Sequence, residues 1–252
     1  MRGEPEQGIA GTRSSAVITL RPGRTAALLA GVAAVLVSVS VILNTVKVLV
    51  GEGSFRWLVD LFRLNQERNI PSYFSGELCA LSALLLAWVW VVKRSGSASR
   101  PATWLALSFL FGFLAFDELF AVHEELIDPL QERFELTGVL HYAWVPVYGL
   151  LVVVVGLAFW PVWRGLSTRL RTWFSAAAFL YITGALVFEM VQGALYTGSE
   201  GDLVAGFLYT VEESLEQAGL IMFIYAVLSL LSESRASLAI GDDPRRPAPP
   251  RS

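Results

Sequence analysis

Residues 205–231 read AGFLYTVEESLEQAGLIMFIYAVLSLL, an apolar run that nonetheless carries Glu212, Glu213 and Glu216. About 20 apolar residues suffice to cross a hydrocarbon core of ~30 Å. An acidic side chain at the centre of such a helix costs roughly 2.5–3.5 kcal/mol on insertion scales, so it is seldom left facing lipid. The segment therefore belongs in a bundle that turns its acids inward. The same conflict recurs at Asp117 and Glu118 within 102–122, and at Glu189 within 173–196.

Three further runs, near 26–50, 74–92 and 142–163, meet the same length criterion. The chain is expected to be an all-α integral membrane protein: a six-transmembrane-helix bundle over residues 25–232. The flanking stretches 1–24 and 233–252, rich in Gly, Arg and Ser or ending in GDDPRRPAPPRS, are expected to be disordered tails.

Composition agrees with this class. Of 252 residues, 54% are hydrophobic and only 16% charged. One cysteine, Cys79, leaves no intrachain disulfide and no Cys-rich metal site. Two histidines, His123 and His141, are too few for the His-rich clusters of membrane desaturases. The N-terminal stretch lacks an early apolar core, so the first span reads as an uncleaved signal anchor rather than a cleaved peptide. Without a basic, aromatic-lined external surface the chain is not expected to bind nucleic acid.

Orientation follows from the distribution of the 19 basic residues. Arg2, Arg13, Arg21 and Arg24 precede the first span, and Lys93, Arg94 and Arg100 separate the second from the third. Arg164, Arg169 and Arg171 separate the fourth from the fifth, and Arg235, Arg245, Arg246 and Arg251 come after the sixth. The expectation is a plasma (inner) membrane protein with both termini cytoplasmic. On the opposite side, SFRWLVDLFRLNQE at 54–67 fits an amphipathic helix lying in the interface between spans one and two. Pro71 should interrupt it, with Ser72 or Ser75 capping the next span.

Depth can be reckoned from the helical rise. Counted from the basic ends of their spans, Glu77, Asp117 and Glu216 lie about 22 Å up, and Glu189 about 24 Å. Asn44 comes out near 27 Å and Glu212 near 28 Å by the same rise. Residues distant in sequence thus fall into one layer in the outer half of the bilayer, with His123 and His141 just above it. Phase agrees as well: Asp117, Ala121, Glu124 and Asp128 share a face, as do Glu189, Gln192 and Tyr196. Tyr209, Glu212, Glu213 and Glu216 occupy one face of the sixth span, and Ser40, Asn44 and Lys47 align on the first. Glu124, Glu125 and Asp128 also fit plain solvated loop residues.

The polar layer admits two functional readings, beside a structural one. In the first, hard oxygen ligands hold a divalent metal ion, with Asp117, Glu189, Glu212, Glu216 and His141 as the ligand set. Glu118 or Glu213 would be the general base, with His123 as a proton shuttle. Glu77, Asn44, Lys47, Gln192 and Tyr209 would support the site or the substrate. This reading describes a metal-dependent membrane hydrolase acting on a lipid-like or amphipathic substrate admitted from the bilayer. In the second, the acids share protons or cations and the chain is a proton- or cation-coupled transporter or a pH-responsive membrane protein. In the structural reading the acids pair with nearby Lys or Arg, or with tyrosines such as Tyr148, Tyr196 and Tyr209, and only fix helix register. Glu212-Glu213 followed by Gln217 resembles the first motif of intramembrane CAAX-type proteases. That family also requires later histidines, and none comes after His141.

Overall fold

A computed structural model describes residues 16–18, 21–51, 53–64, 66–94, 100–195, 203–234 and 238–240. The chain forms helices α1 (Pro22–Val50), α2 (Arg56–Phe62), α3 (Ile70–Arg94), α4 (Pro101–Phe120) and α5 (Ile127–Phe134). It continues with α6 (Val145–Arg164), α7 (Thr168–Ile182), α8 (Glu189–Leu195) and α9 (Leu203–Glu233). A π-helical turn over Thr183–Phe188 joins α7 to α8, so both belong to one span, Thr168–Leu195. Six helices are long and apolar enough to cross a membrane, and their limits lie close to the six runs of the sequence. Beyond the bundle, Ala16–Ile18 pairs antiparallel with Leu238–Ile240. Residues 22–24 and 233 of the expected tails belong to α1 and α9, and apart from these strands, Arg21 and Ser234 the other tail residues lie outside the described ones.

Helix starts use residues whose missing or satisfied N–H groups suit a first turn. Pro22 and Pro101 open α1 and α4, and Ser167 accepts the Leu170 N–H at 3.4 Å to cap α7. At α3 the expected cap differs from the observed one. Asn69 accepts the Ser72 N–H and Ser72 Oγ accepts the Asn69 N–H, both at 3.1 Å, in a reciprocal box. Pro71 sits inside the first turn, where it is tolerated, so it opens α3 rather than merely ending the preceding segment.

α9 is the central helix, packed against α1, α3 and α7, while α3 and α4 form a hairpin beside it. Leu78, Leu86, Ile224 and Val227 are fully buried at this centre. Lipid offers no hydrophobic drive for helix association, so close approach at small residues matters more. Gly219 provides one such approach: a Cβ there would stand 2.7 Å from the Tyr181 backbone nitrogen on α7. Polar groups also cross between helices. Ser108 Oγ donates to the Ala83 carbonyl at 2.8 Å, and Gln217 donates to Ser75 Oγ at 3.3 Å. α6 stands apart, with Val145 its one buried residue.

Spans alternate in direction, so Lys93, Arg94, Arg164, Arg169 and Arg171 gather at one end. The acids of α4, α8 and α9 lie towards the other, the end that also carries α2 and the connection 121–144.

Candidate functional site

A cavity of about 430 Å³ lies between α6 and the helices α4, α7 and α9. Its polar end is walled by Asp117, Glu118, Glu189, Glu212, Glu213 and Glu216. Glu67, His123 and Glu124 close the mouth, and Tyr142, Tyr148, Tyr181 and Tyr209 also line the wall. The other limb is apolar, formed by residues such as Leu107, Phe111, Val155, Phe159 and Phe223. An amphipathic chamber of this size matches the general form of small-molecule sites.

The mouth is built by two breaks in helical structure. α4 stops at Ala121, which adopts φ +56°, and the Ala121 N–H donates to the Asp117 carbonyl at 2.7 Å. A left-handed conformation costs about 1–2 kcal/mol for a residue with a Cβ. The reversal returns His123 to Asp117, whose Oδ1 accepts the His123 backbone N–H at 2.8 Å and lies 3.2 Å from Nδ1. Tyr148 donates to Asp117 Oδ2 at 2.7 Å, so both carboxylate oxygens are engaged. The helical face that would have carried Asp117 on to Glu124 and Asp128 therefore does not continue: Glu124 lies in a 3-10 turn and Asp128 in α5.

The second break precedes α3. Asn69 Nδ2 donates to the Arg63 carbonyl at 2.5 Å and to the Asp60 carbonyl at 3.3 Å, folding the end of α2 back. Arg68, at φ +62°, donates from its guanidinium to the Phe120 carbonyl at 3.2 Å. These ties set Glu67 over the end of α4, with Oε1 3.4 Å from His123 Nε2. Glu67 Oε2 is buried and finds no hydrogen-bond partner among the described residues.

Glu67, His123 and Glu124 each offer a ligand atom within 4.8 Å of the others. Among the described residues this is the group whose spacing would accept a metal ion. Asp117 completes the arrangement from behind, because metal-bound histidines generally donate their second N–H to a carboxylate. Electrostatics at the mouth are strongly perturbed. Burial opposes charge on His123, but the hydrogen bond and charge of Asp117, then Glu67 and Glu118, push its pKa up to about 9. Burial raises Glu67 to about 7, partly offset by His123 and reinforced by Glu124 and Asp117. Burial, then the Tyr209 hydroxyl 3.5 Å away, holds the Tyr142 phenol well above its usual range.

Of the ligand set expected from sequence, Asp117, Glu189, Glu212 and Glu216 line one cavity, but His141 does not. The Gln131 amide donates to the His141 carbonyl, and the residue packs against Gly193. Glu118, Glu213 and Tyr209 also line the chamber. Gln192 lies behind it, buried, and its amide donates to Glu212. Asn44 and Lys47 lie on α1 and Glu77 is exposed on α3, all outside the cavity wall. Asn44 instead donates to Ser40 Oγ at 3.4 Å on its own helix. Tyr196 lies outside the described residues.

The π turn bears on the deep acids. Gly184 within it approaches α9 so closely that a Cβ would stand 2.7 Å from Glu216 Cγ and 2.9 Å from the Glu212 carbonyl. Single π turns inside α-helices recur at functional sites. Glu67 is the site residue that the sequence did not mark, because its approach depends on the Arg68–Phe120 and Asn69 ties. The one local signal was a carboxylate placed at the end of an interfacial segment.

The family model described as Domain of unknown function (DUF8692) matches residues 27–231. No curated protein and no solved structure matches the chain.

Proposed function

The chain belongs to that family, the domain of unknown function DUF8692, and we propose that it is a metal-dependent membrane hydrolase of a lipid-like substrate. The observation that carries this reading is the convergence of Glu67, His123 and Glu124 at the mouth of an amphipathic cavity. Carboxylates with one imidazole suit Mn²⁺ or Zn²⁺. Asp117 would hold the His123 Nδ1 proton, leaving Nε2 for the ion. The ion would lower the pKa of a bound water, and Glu118 or Glu213 would accept its proton and return it to the leaving group. Taking the basic end as cytoplasmic by the positive-inside rule, the mouth opens on the outer face of the membrane. This orientation, and residence in the plasma membrane, are part of the proposal.

The apolar limb disfavours coupled transport. Past Glu216 and Asp117 the wall is almost wholly Leu, Ile, Phe, Val, Ala and Gly, with Tyr181 opposite Gly219 and no charged side chain among the described lining residues towards the basic end. The test is hydrolysis of a mixed lipid extract by purified protein, read by mass spectrometry with and without chelator. Chelator-sensitive product release, absent in Glu67→Gln, supports the proposal; release indifferent to both, or none with added Mn²⁺ or Zn²⁺, contradicts it.

A further inference from the structure

We infer that the cavity takes an amphipathic molecule with a cationic head, an amine or quaternary ammonium, whose single apolar tail enters past α6. The inference rests on the lipid-like reading of the same site and names the head group that it selects.

The head chamber is lined mainly by carboxyl groups and tyrosines. Glu118, Glu189, Glu212, Glu213 and Glu216 face it, and no Lys or Arg is among its described lining residues. Gln192 supplies one neutralising hydrogen bond, but to Glu212. Glu189 Oε2 remains buried with no hydrogen-bond partner among the described residues. A buried polar oxygen without a donor is unfavourable, so a ligand that brings a positive donor would relieve it. Tyr142, Tyr181 and Tyr209 add aromatic rings to the same wall, and aromatic faces beside carboxylates are the usual recognition chemistry for ammonium groups. An anionic head would face the same carboxyl groups, with His123 at the mouth the one basic side chain among the described lining residues.

The tail limb sets the second half of the ligand. From Asp117 back to Leu107 the wall runs ten residues along α4, or about 15 Å of helix. A volume of about 430 Å³ shared with the head chamber admits one chain rather than two. α6 forms its outer side and is the least buried span, resting on ring contacts such as Phe159 to Trp104 at 5.4 Å. At Gly156, the α6 glycine that lines the cavity, an added Cβ would have nothing within 4 Å, so this part of the wall is open.

The test titrates the full chain, in a neutral maltoside detergent with chelator, against dodecyltrimethylammonium, dodecyl phosphate and dodecanol, read by tryptophan fluorescence. Dodecyltrimethylammonium is expected to bind about tenfold tighter than the other two, a preference abolished by Glu189→Gln/Glu213→Gln. Gly156→Trp, at a position where an added Cβ meets no neighbour, should weaken dodecyltrimethylammonium but leave tetramethylammonium unchanged. Equal binding of all three heads overturns the inference. Preference for dodecyl phosphate only after Mn²⁺ is restored overturns it too, yet leaves the metal-dependent lipid site standing. Failure of every dodecyl probe overturns both.

Discussion

Asp117 Oδ1 holds His123 twice, accepting its backbone N–H at 2.8 Å and lying 3.2 Å from its Nδ1. The contact joins the last turn of α4 to the loop beyond it and fixes which imidazole nitrogen faces Glu67. In the proposed metal site it determines both the orientation and the basicity of the ligand. Asp117→Asn should therefore lower Mn²⁺ affinity about 10–100-fold, the usual effect of losing such an outer partner. Titration of the purified variant by electron paramagnetic resonance checks this. Unchanged affinity would remove Asp117 from the site.

The pH dependence of the mouth has opposite signs with and without metal. In the ion-free protein the folded pKa of His123 is about 9, above its ordinary value of 6.5. Its contribution to stability is then complete below pH 6.5 and disappears as pH rises through about 9. Glu67, raised from 4.5 to about 7, acts in the same direction over its own lower window. The ion-free Tm should fall between pH 6 and 9, whereas metal affinity should rise about tenfold per pH unit between 7.5 and 8.5 as the His123 proton is displaced. Thermal melts and Mn²⁺ titrations across this range measure both slopes.

Close packing at α7 and α9 predicts a sharp positional contrast. A Cβ at Gly219 would stand 2.7 Å from the Tyr181 backbone nitrogen and 3.0 Å from the Ala177 carbonyl, whereas Gly112 has nothing within 4 Å. Gly219→Ala should destabilise by about 1–3 kcal/mol, the usual effect of overpacking. Gly112→Ala should be close to neutral. Denaturation in detergent, measured side by side, checks the difference.

Asn69 links local structure to the site. Asn69→Ala removes the α3 cap, a loss of about 0.5–2 kcal/mol. It also releases the ties to Asp60 and Arg63 that place Glu67. Metal affinity should fall even where helicity by circular dichroism is retained. Full affinity in this variant would show that the turn does not position Glu67.

The spans were legible because each is a long apolar run, and the inward acids because Glu212, Glu213, Glu216 and Glu189 conflict with lipid. The mouth was not. Helical phase through Asp117, Ala121 and Glu124 continues without Gly or Pro, so nothing local marks the left-handed stop at Ala121. The π turn at 183–188 leaves composition unchanged while shifting the helical phase of α8, and only Gly184 hints at close approach. Glu67 meets His123 through the Arg68–Phe120 contact, which spans 52 residues and has no periodic signature.

Elemental analysis of the detergent-purified protein beside a Glu67→Gln/Glu124→Gln variant tests the metal site most directly. Stoichiometric Mn or Zn is expected in the wild type, with its loss from a variant that still shows full helicity. No bound metal in the wild type after dialysis against both ions, or equal metal in the two proteins, would contradict it.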